Sequence, residues 1–327
     1  MADRMARTDV LIVCLGGTAG LRAADDALAG ALRRAGSSVA LARVASTREV
    51  RTFALTDLAW AVPARASART AIRATAPRAI VYSSSTAALL WPEPGAIRFD
   101  APAAGNRPGR HGVWQRRVER RRFAAAPLLL PWSEGALAEA PDPRAEALVV
   151  PVPVAPSGAA QHDRDLAAIT YGANPHKKGT DRVLAAWRAA RRPGETLVVA
   201  GLAGADEDGI RFTGMVAPSE YRALLRRARA FVTAPRREDH GIAQLEALAD
   251  GAQLVTSAAP GPYAALPLAR ALDPRLVGDD LAGALRTALD DPAPDYAARA
   301  ATAVAPFSPA AVDALVADRL LPALLRP

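Results

Sequence analysis

The sequence predicts an α/β protein built from two doubly wound, Rossmann-like domains. Its 327 residues exceed the roughly 250 to 300 over which a single hydrophobic core usually grows. Short apolar runs, typical of parallel strands covered on both faces, alternate with segments of helical periodicity. This alternation stops at a polar stretch over residues 155–165 and then restarts. We therefore expect a first domain over residues 1–154, a second over 155–305, and a terminal helix over 306–327.

In the first domain, apolar runs predict strands, and segments with apolar residues at helical spacing predict helices. The predicted strands cover residues 9–15, 38–44, 79–84, 95–100, 127–133 and 146–154. The predicted helices cover residues 21–36, 69–77 and 110–126, and Gly36 is expected to end the first of them.

The same alternation in the second domain predicts another parallel sheet. The predicted strands cover residues 166–173, 195–202, 209–216, 230–235 and 252–257. The predicted helices cover residues 179–191, 218–229, 242–250, 279–291, 294–305 and 309–325. Since open parallel sheets bind ligands beyond the carboxyl ends of their strands, two such domains face to face would form a binding cleft.

The charge balance favours anionic partners. The formal net charge is +8, and 39 of the 41 basic residues are arginine. Phosphates, nucleic acid and an acidic membrane surface all fit this balance. The single cysteine, Cys14, lies in the first apolar run, where we expect a buried structural thiol. Because no apolar stretch reaches the ~20 residues of a membrane span or resembles a signal peptide, we expect a cytoplasmic protein.

Two glutamates, Glu238 and Glu246, stand seven residues apart between a predicted strand and a predicted helix. The pattern around them consists of Pro235, Glu238, Gly241, Glu246, Ala247, Gly251 and Val255. This pattern resembles the corresponding region of retaining GT-B glycosyltransferases, family 4 in particular. The resemblance implies that Glu238 lies by the transferred sugar and that Glu246 holds the ribose of a nucleotide-sugar. The free N–H groups at the helix start, at Gly241 and Ile242, suit a phosphate.

The only two lysines, Lys177 and Lys178, stand side by side after the first strand of the second domain. Because arginine is the usual cation of this chain, the pair indicates a site-specific choice, with a solvated basic loop as the alternative. Lys178 and Gly179 match the Lys-Gly positions of the same family, which implies that Lys178 clamps the donor diphosphate. Ala173 stands where the family has an arginine, so Lys177 or the neighbouring histidine would supply the missing charge.

The resemblance covers about residues 167–257 and implies the GT-B fold, in which two Rossmann-like domains face a central cleft. It also implies that the terminal helix over 306–327 returns to the first domain. Residues 209–216 match the family's Val-x-Phe-x-Gly segment. This match implies that the main chain near Gly214 and Val216 contacts the nucleobase.

A glycine-containing turn follows the first strand of the first domain. Gly16 and Gly17 match two of the three glycines of a dinucleotide fingerprint, with Leu15 at the first position. Arg43 ends the second strand, where an NAD-binding protein has an acid, so an NADP-dependent reductase stays open. The GT-B resemblance implies instead that this turn faces the donor phosphates.

Asp100 ends a predicted strand, where it could bind or deprotonate an acceptor hydroxyl, and His111 is a second candidate. An aspartate that caps a turn is the alternative for Asp100. Asp206 and Asp208 form an Asp-x-Asp sequence in a loop of the second domain, which favours a solvated turn. No histidine or cysteine cluster has metal-ligand spacing, so we expect no metal.

The predicted helix over 110–126 is rich in arginine. Five of these lie within nine residues: Arg116, Arg117, Arg120, Arg121 and Arg122. A solvated face is the default interpretation, and peripheral contact with an anionic membrane is a hypothesis that the run supports. Nucleic acid is not expected, since no aromatic residues alternate with the arginines.

The GT-B resemblance implies an enzyme that transfers a hexose from a nucleotide-sugar to a hydroxyl acceptor, with retention and without metal. The nucleotide-sugar is a co-substrate, and no further cofactor is expected. Two alternatives remain open: a non-catalytic relative that binds a nucleotide or a partner, and an NADP-dependent reductase. Ala173 and His240, which depart from the family pattern, keep the first of them open.

Overall fold

A computed structural model of the protein describes residues 7–44, 50, 52–141, 146–159 and 163–326. The chain folds into two compact units. Unit 1 contains residues 1–153 and 309–327, and unit 2 contains residues 154–308. The predicted polar stretch lies at the start of unit 2, and its residues 160–162 fall outside the described part.

Unit 1 is built on a parallel sheet of five strands in the order β2-β1-β3-β4-β5. The strands are β1 (Val10–Cys14), β2 (Val39–Arg43), β3 (Ala79–Tyr82), β4 (Ala96–Phe99) and β5 (Leu129–Pro131). The helices between them are α1 (Ala19–Arg34), α2 (Phe53–Thr75), α3 (Ser85–Ala88), α4 (Ala103–Asn106), α5 (Val113–Ala125) and α6 (Glu134–Glu139). A 3-10 turn, Arg110–Gly112, precedes α5. Cys14 is buried, as predicted, and burial raises the pKa of its thiol.

The predicted strand over residues 146–154 is wrong. Ala147 forms only an isolated bridge with Leu129, although the main chain continues beside β5. Pro151 and Pro153 lack the N–H groups that a longer ladder would need, so the pairing stops after Val150.

The helix predicted over residues 69–77 is much longer in the structure, where α2 begins at Phe53. The hydroxyl of Thr52 caps it by accepting the N–H of Leu55 at 3.3 Å. Pro63 lies inside the helix and interrupts the sequence pattern, since proline usually breaks helices. Tertiary packing overrides this preference, because the face formed by Ala61, Ala64 and Ala68 is fully buried.

Unit 2 is also built on a parallel sheet of five strands, in the order β10-β9-β6-β7-β8. The strands are β6 (Leu166–Tyr171), β7 (Leu197–Ala200), β8 (Ile210–Gly214), β9 (Ala228–Thr233) and β10 (Gln253–Thr256). The helices are α7 (Pro175–Lys178), α8 (Thr180–Ala190), α9 (Pro218–Arg227), α10 (Ile242–Ala249), α11 (Ala265–Leu272), α12 (Leu281–Asp290) and α13 (Tyr296–Val304). All five strands form where the apolar runs predicted them, whereas α7 and α11 were not predicted.

The last segment of the chain belongs to unit 1. It consists of α14 (Pro309–Leu315), a π-helical turn (Val316–Leu320) and α15 (Leu321–Leu324). By length and composition alone, residues 296–324 are apolar enough to cross a membrane. The buried apolar side chains of α13 belong to the core of unit 2, and those of residues 309–320 belong to the core of unit 1.

A buried polar cluster joins α2 and α5 in unit 1. The carboxylate of Asp57 accepts hydrogen bonds from Arg107 Nε at 2.8 Å and from Gln115 Nε2 at 3.2 Å. Glu119 Oε1 accepts the main-chain N–H of Ala103 at 2.7 Å. Burial raises the pKa of Glu119 to about 7. The cluster therefore anchors the segment that follows β4, and it holds an acid whose charge state changes near neutral pH.

We predict that Glu119→Gln removes a pH dependence from the stability of unit 1. Because the folded-state pKa of Glu119 is raised, the unfolded chain ionises first as the pH rises, and the wild type loses stability through this window. The unfolding free energy of wild type minus that of the variant should fall by up to ~3 kcal/mol between about pH 4.5 and 7.5. Tryptophan fluorescence in urea can follow this loss, since four of the five tryptophans lie in unit 1. The exposed Glu93→Gln is the control, and parallel pH curves for wild type and Glu119→Gln would contradict the prediction.

Candidate active site

The strand order of unit 2 reverses between β6 and β9. The chain runs from β6 through β7 to β8 and then returns to the other side of β6. Open parallel sheets bind ligands at such a reversal, beyond the carboxyl ends of the strands. The segments that leave this edge are the β6 loop (residues 172–179) and the β9 loop (residues 234–241). The topology therefore brings the predicted lysines and Glu238 to one place.

Lys178 and Glu238 form an ion pair between these two loops, with 2.7 Å from Nζ to Oε2. Gln244, on the first turn of α10, donates its amide to the same oxygen at 2.9 Å. The Glu238 side chain is 4% exposed and that of Lys178 is 21% exposed. Removal of the lysine would therefore leave a buried carboxylate without its cation.

A second ion pair lies beside the first. Lys177 Nζ is 2.6 Å from Asp239 Oδ2, and Arg237 Nε is 2.9 Å from Asp239 Oδ1. Burial alone would raise the pKa of Asp239, but the charges of Lys177 and Arg237 outweigh this effect and lower it. The charge of Lys177 is thus already engaged by an acid of the β9 loop.

The two loops touch through their main chains at Gly179. This residue has φ of +63°, and a Cβ there would lie 1.8 Å from the carbonyl oxygen of Ala234. The main-chain N–H of Arg236 donates to the carbonyl of Lys177 at 3.0 Å. Its guanidinium also pairs with Asp181 at 2.7 Å. The glycine of the Lys-Gly pair therefore permits the close approach that the ion pairs require.

Gly241 precedes α10, as the sequence predicted, with φ of +88°, and no side chain in the described part of the chain caps the helix. The first N–H groups of α10, beginning at Ile242, therefore remain open to an anion. A Cβ on Gly241 would lie 3.0 Å from the ring of Tyr263. The hydroxyl of Tyr263 is fixed by a 2.8 Å hydrogen bond with Thr256. The Tyr263 ring thus occupies the space on one side of the first turn of α10.

Glu246 lies on α10 and pairs with Arg222 of α9, at 3.2 Å between Oε1 and Nη1. Arg222 also binds Asp250, at 2.8 Å between Nε and Oδ2. Burial raises the pKa of Glu246, although the charge of Arg222 opposes the rise. Its side chain is still 25% exposed, so a ligand can reach the carboxylate.

Gly214 and Val216 lie at the same carboxyl edge, at the end of β8. Gly214 has φ of +63° and accepts the N–H of Gly201 at 2.9 Å, which ties β8 to the end of β7. Val216 is half-buried. Within the part of the chain that the structure describes, neither Gly214 nor Val216 forms a hydrogen bond with Lys178 or Glu238.

The predicted residues of unit 1 lie at the carboxyl edge of its own sheet. Gly16 and Gly17 follow β1, where the strand order reverses between β1 and β3, and Gly16 has φ of +61°. Asp100 follows β4, and its carboxylate accepts the main-chain N–H of Ala101 at 2.9 Å, as a turn-capping aspartate does. His111 lies in the 3-10 turn before α5, and its side chain falls outside the described part.

The residues of this site that were not predicted from the sequence include Asp239, Gln244 and Arg222. Gln244 follows Gly241 by three residues, so one helical turn brings it back toward Glu238. Asp239 is adjacent to Glu238 in the sequence, but its partner, Lys177, lies on the β6 loop. Arg222 lies 24 residues before Glu246, and no local pattern marks a contact over that distance.

The sequence of unit 2 matches a known family. Residues 166–307 match the family model described as Glycosyl transferases group 1. The match covers nearly all of unit 2 and less than half of the whole chain. The prediction from the glutamate and lysine motifs is therefore confirmed at the level of the family.

Solved structures show the same fold over nearly the whole chain. The sucrose-phosphate synthase of Thermosynechococcus elongatus has a TM-score of 0.76 and 14% identity, covering 94% of this chain and 96% of its own. WaaG, a glycosyltransferase involved in lipopolysaccharide biosynthesis, has a TM-score of 0.67 and 14% identity, covering 95% of each chain. The UDP-forming trehalose-phosphate synthase of Burkholderia xenovorans, solved with glucose-6-phosphate, has a TM-score of 0.63 and 15% identity, covering 85% of this chain and 79% of its own. No curated protein matches the sequence. These likenesses confirm the GT-B fold, with two Rossmann-like units.

We predict that Gly179→Ala destabilises unit 2 far more than a comparable substitution elsewhere in it. Gly194 also has positive φ, +84°, but a Cβ there would meet nothing within 4 Å. Gly194→Ala should therefore cost only the ~1–2 kcal/mol of left-handed backbone strain. Gly179→Ala must in addition separate the β6 loop from the β9 loop. Scanning calorimetry compares the two variants, and equal losses in stability would contradict the steric role of Gly179.

Proposed function

We propose that the protein transfers a hexose from a nucleotide-sugar to a hydroxyl acceptor, with retention and without a metal. The observation that carries the proposal is the group formed by Lys178, Glu238 and Gln244 beside the uncapped start of α10. It lies at the strand-order reversal of unit 2, whose sequence matches the group 1 glycosyltransferase model. The resemblance of the glutamate segment to retaining enzymes supports retention.

The donor diphosphate would lie between Lys178 and the start of α10. There it would meet a compact ammonium and the open N–H groups that begin at Ile242. Both favour negative charge. As the bond between the sugar and the diphosphate breaks, charge develops on the leaving group, and these donors stabilise it.

Glu238 would position the sugar. Its Oε2 accepts from Lys178 and Gln244, whereas its Oε1 accepts no hydrogen bond from the described residues. That oxygen is available for a sugar hydroxyl. The partly exposed carboxylate of Glu246 would accept the two ribose hydroxyls, and the main chain at Gly214 and Val216 would face the nucleobase.

The acceptor would bind to unit 1. Asp100, at the carboxyl end of β4, and His111 are the candidates for binding or deprotonating its hydroxyl.

The alternatives make different demands on the protein. A non-catalytic relative would bind a nucleotide without turnover, so an activity assay separates it from the enzyme. An NADP-dependent reductase would need Arg43 for the 2′-phosphate, but Arg43 forms an ion pair with Asp26.

We predict that the purified protein releases UDP from a UDP-hexose and that EDTA does not abolish the release. UDP is the first probe because one structural neighbour is described as UDP-forming. Among the described residues no group of three acidic, histidine or cysteine side chains could hold a metal. Asp206 instead accepts the N–H of Phe212 at 2.8 Å, and Asp208 pairs with Arg191 at 2.5 Å. Loss of turnover in EDTA that Mn²⁺ or Mg²⁺ restores would contradict the metal-independent mechanism.

We predict that Lys178→Ala weakens UDP binding roughly ten- to a hundredfold, because a hydrogen bond to a charged group contributes ~1.5–3 kcal/mol. Lys178→Arg should restore the affinity only in part, since a wide planar guanidinium replaces a compact ammonium. Titration calorimetry measures both variants.

Lys178→Ala also leaves the buried carboxylate of Glu238 without its cation, which should destabilise the fold. A matched set of variants therefore separates the effect on binding from the effect on folding. The double variant Lys178→Ala/Glu238→Gln should regain the stability that the single variant loses, while UDP binding stays weak. Glu238→Gln alone frees the ammonium, so UDP affinity should be unchanged or higher while turnover falls. Wild-type affinity in Lys178→Ala, or recovered affinity in the double variant, would remove Lys178 from the site.

A further inference from the structure

Large apolar side chains are exposed in one region of unit 1. Six such side chains are exposed in the described part of the chain, and Met215 of unit 2 is one of them. The other five form what we call the apolar patch, each between 42% and 53% exposed: Val50, Leu55, Leu58, Val62 and Val113. Single exposed apolar residues need no explanation, but a concentration of this kind marks a contact surface.

The patch is built mainly from one face of α2. Leu55, Leu58 and Val62 are spaced by three and four residues, so they line the same side of the helix. The opposite side is buried on unit 1. The helix thus carries apolar side chains on its solvent face as well as on its core face.

The start of α5 lies next to this part of α2. Asp57 of α2 binds both Arg107 and Gln115, which draws the beginning of α5 onto the first half of α2. Val113, the first residue of α5, therefore extends the patch. Helices that follow parallel strands begin at the carboxyl edge of the sheet, so the patch lies toward the same edge as Asp100.

Arginines flank the patch. The sequence predicted the arginine run of α5, but not which of its side chains are exposed. Arg122 turns inward, donates to the carbonyl of Leu89 at 3.0 Å and stacks over Trp91 at 5.0 Å. Arg116 donates to the carbonyl of Arg107. Four exposed arginines remain, which we call the arginine face: Arg110, Arg117, Arg120 and Arg121. None of the four pairs with an acid in the part of the chain that the structure describes.

No acidic side chain interrupts this surface on either helix. Asp57 and Glu119 are the only acids of α2 and α5, and both are buried. The exposed face of α2 continues beyond the patch with Arg65, Arg69 and Arg73. The apolar patch thus has arginines on two sides. This arrangement is complementary to a surface that is anionic outside and apolar beneath.

We propose that the apolar patch and the arginine face dock unit 1 on an anionic lipid bilayer. The apolar side chains would enter the boundary between headgroups and acyl chains, as those of interfacial helices do. The arginines would contact lipid phosphates and attract the protein to the surface through the negative surface potential. The proposal does not depend on the proposed activity, because the surface lies outside the group formed by Lys178 and Glu238.

Vesicle flotation of the full chain tests the proposal. The probes are vesicles of phosphatidylcholine alone and of phosphatidylcholine with phosphatidylglycerol, at low and at high salt. The wild type should bind the anionic vesicles at least tenfold more tightly than the neutral ones, and salt should weaken this binding. Equal binding to the two kinds of vesicle overturns the proposal.

Two surface variants identify the contributing residues. One carries Leu55→Ser, Leu58→Ser and Val62→Ser, and the other carries Arg117→Ala, Arg120→Ala and Arg121→Ala. Each should lose at least tenfold in binding to anionic vesicles. The controls are Met215→Ser and a triple variant of exposed arginines in unit 2, Arg182→Ala, Arg211→Ala and Arg270→Ala, and they should bind as the wild type does.

The remaining measurements exclude damage to the fold and a protein partner. Circular dichroism and the unfolding midpoint of each variant should match those of the wild type, and flotation is compared only among variants that pass. Sedimentation at increasing concentration tests whether a second copy of the chain covers the patch. Unchanged flotation in both surface variants, or a dimer that the serine variant abolishes without any effect on flotation, overturns the proposal.

Discussion

The candidate site depends on how closely two loops approach at the strand-order reversal of unit 2. The β6 loop and the β9 loop meet at Gly179, where only a residue without a Cβ leaves room for the carbonyl of Ala234. This approach brings Lys178 within 2.7 Å of Glu238 and Lys177 within 2.6 Å of Asp239. Because the two main chains touch, the two ion pairs lie together at the carboxyl edge of the sheet, beside the uncapped start of α10.

The same approach determines the electrostatics of the proposed reaction. Lys178 is already compensated by a nearly buried carboxylate, so a diphosphate must share or displace that partner. The open N–H groups at the start of α10 offer the diphosphate a second, uncharged source of positive potential. An ammonium held by Glu238 is positioned before the donor arrives, which reduces the reorganisation needed when charge develops on the leaving group.

The sequence predicted the alternating architecture well, because buried parallel strands are continuous apolar runs. Prediction failed where tertiary contacts override local preference: α2 contains Pro63, and the proline-rich run over 146–154 lies beside β5 without forming a strand. The motif residues were singled out by their resemblance to a family pattern. Their partners were not, since Arg222 reaches Glu246 across 24 residues and the need for glycine at Gly179 is set by Ala234 on another loop. For the same reason, the sequence could not show which arginines of α5 turn inward.

The central claim is that the ion pair between Lys178 and Glu238 marks the donor diphosphate site. A crystal structure of the full protein with UDP tests it most directly. The account predicts that the diphosphate lies within hydrogen-bond distance of Lys178 Nζ and of the first N–H groups of α10, with the ribose at Glu246. UDP bound elsewhere, with the 2.7 Å pair unchanged and no phosphate oxygen near Ile242, would contradict the account.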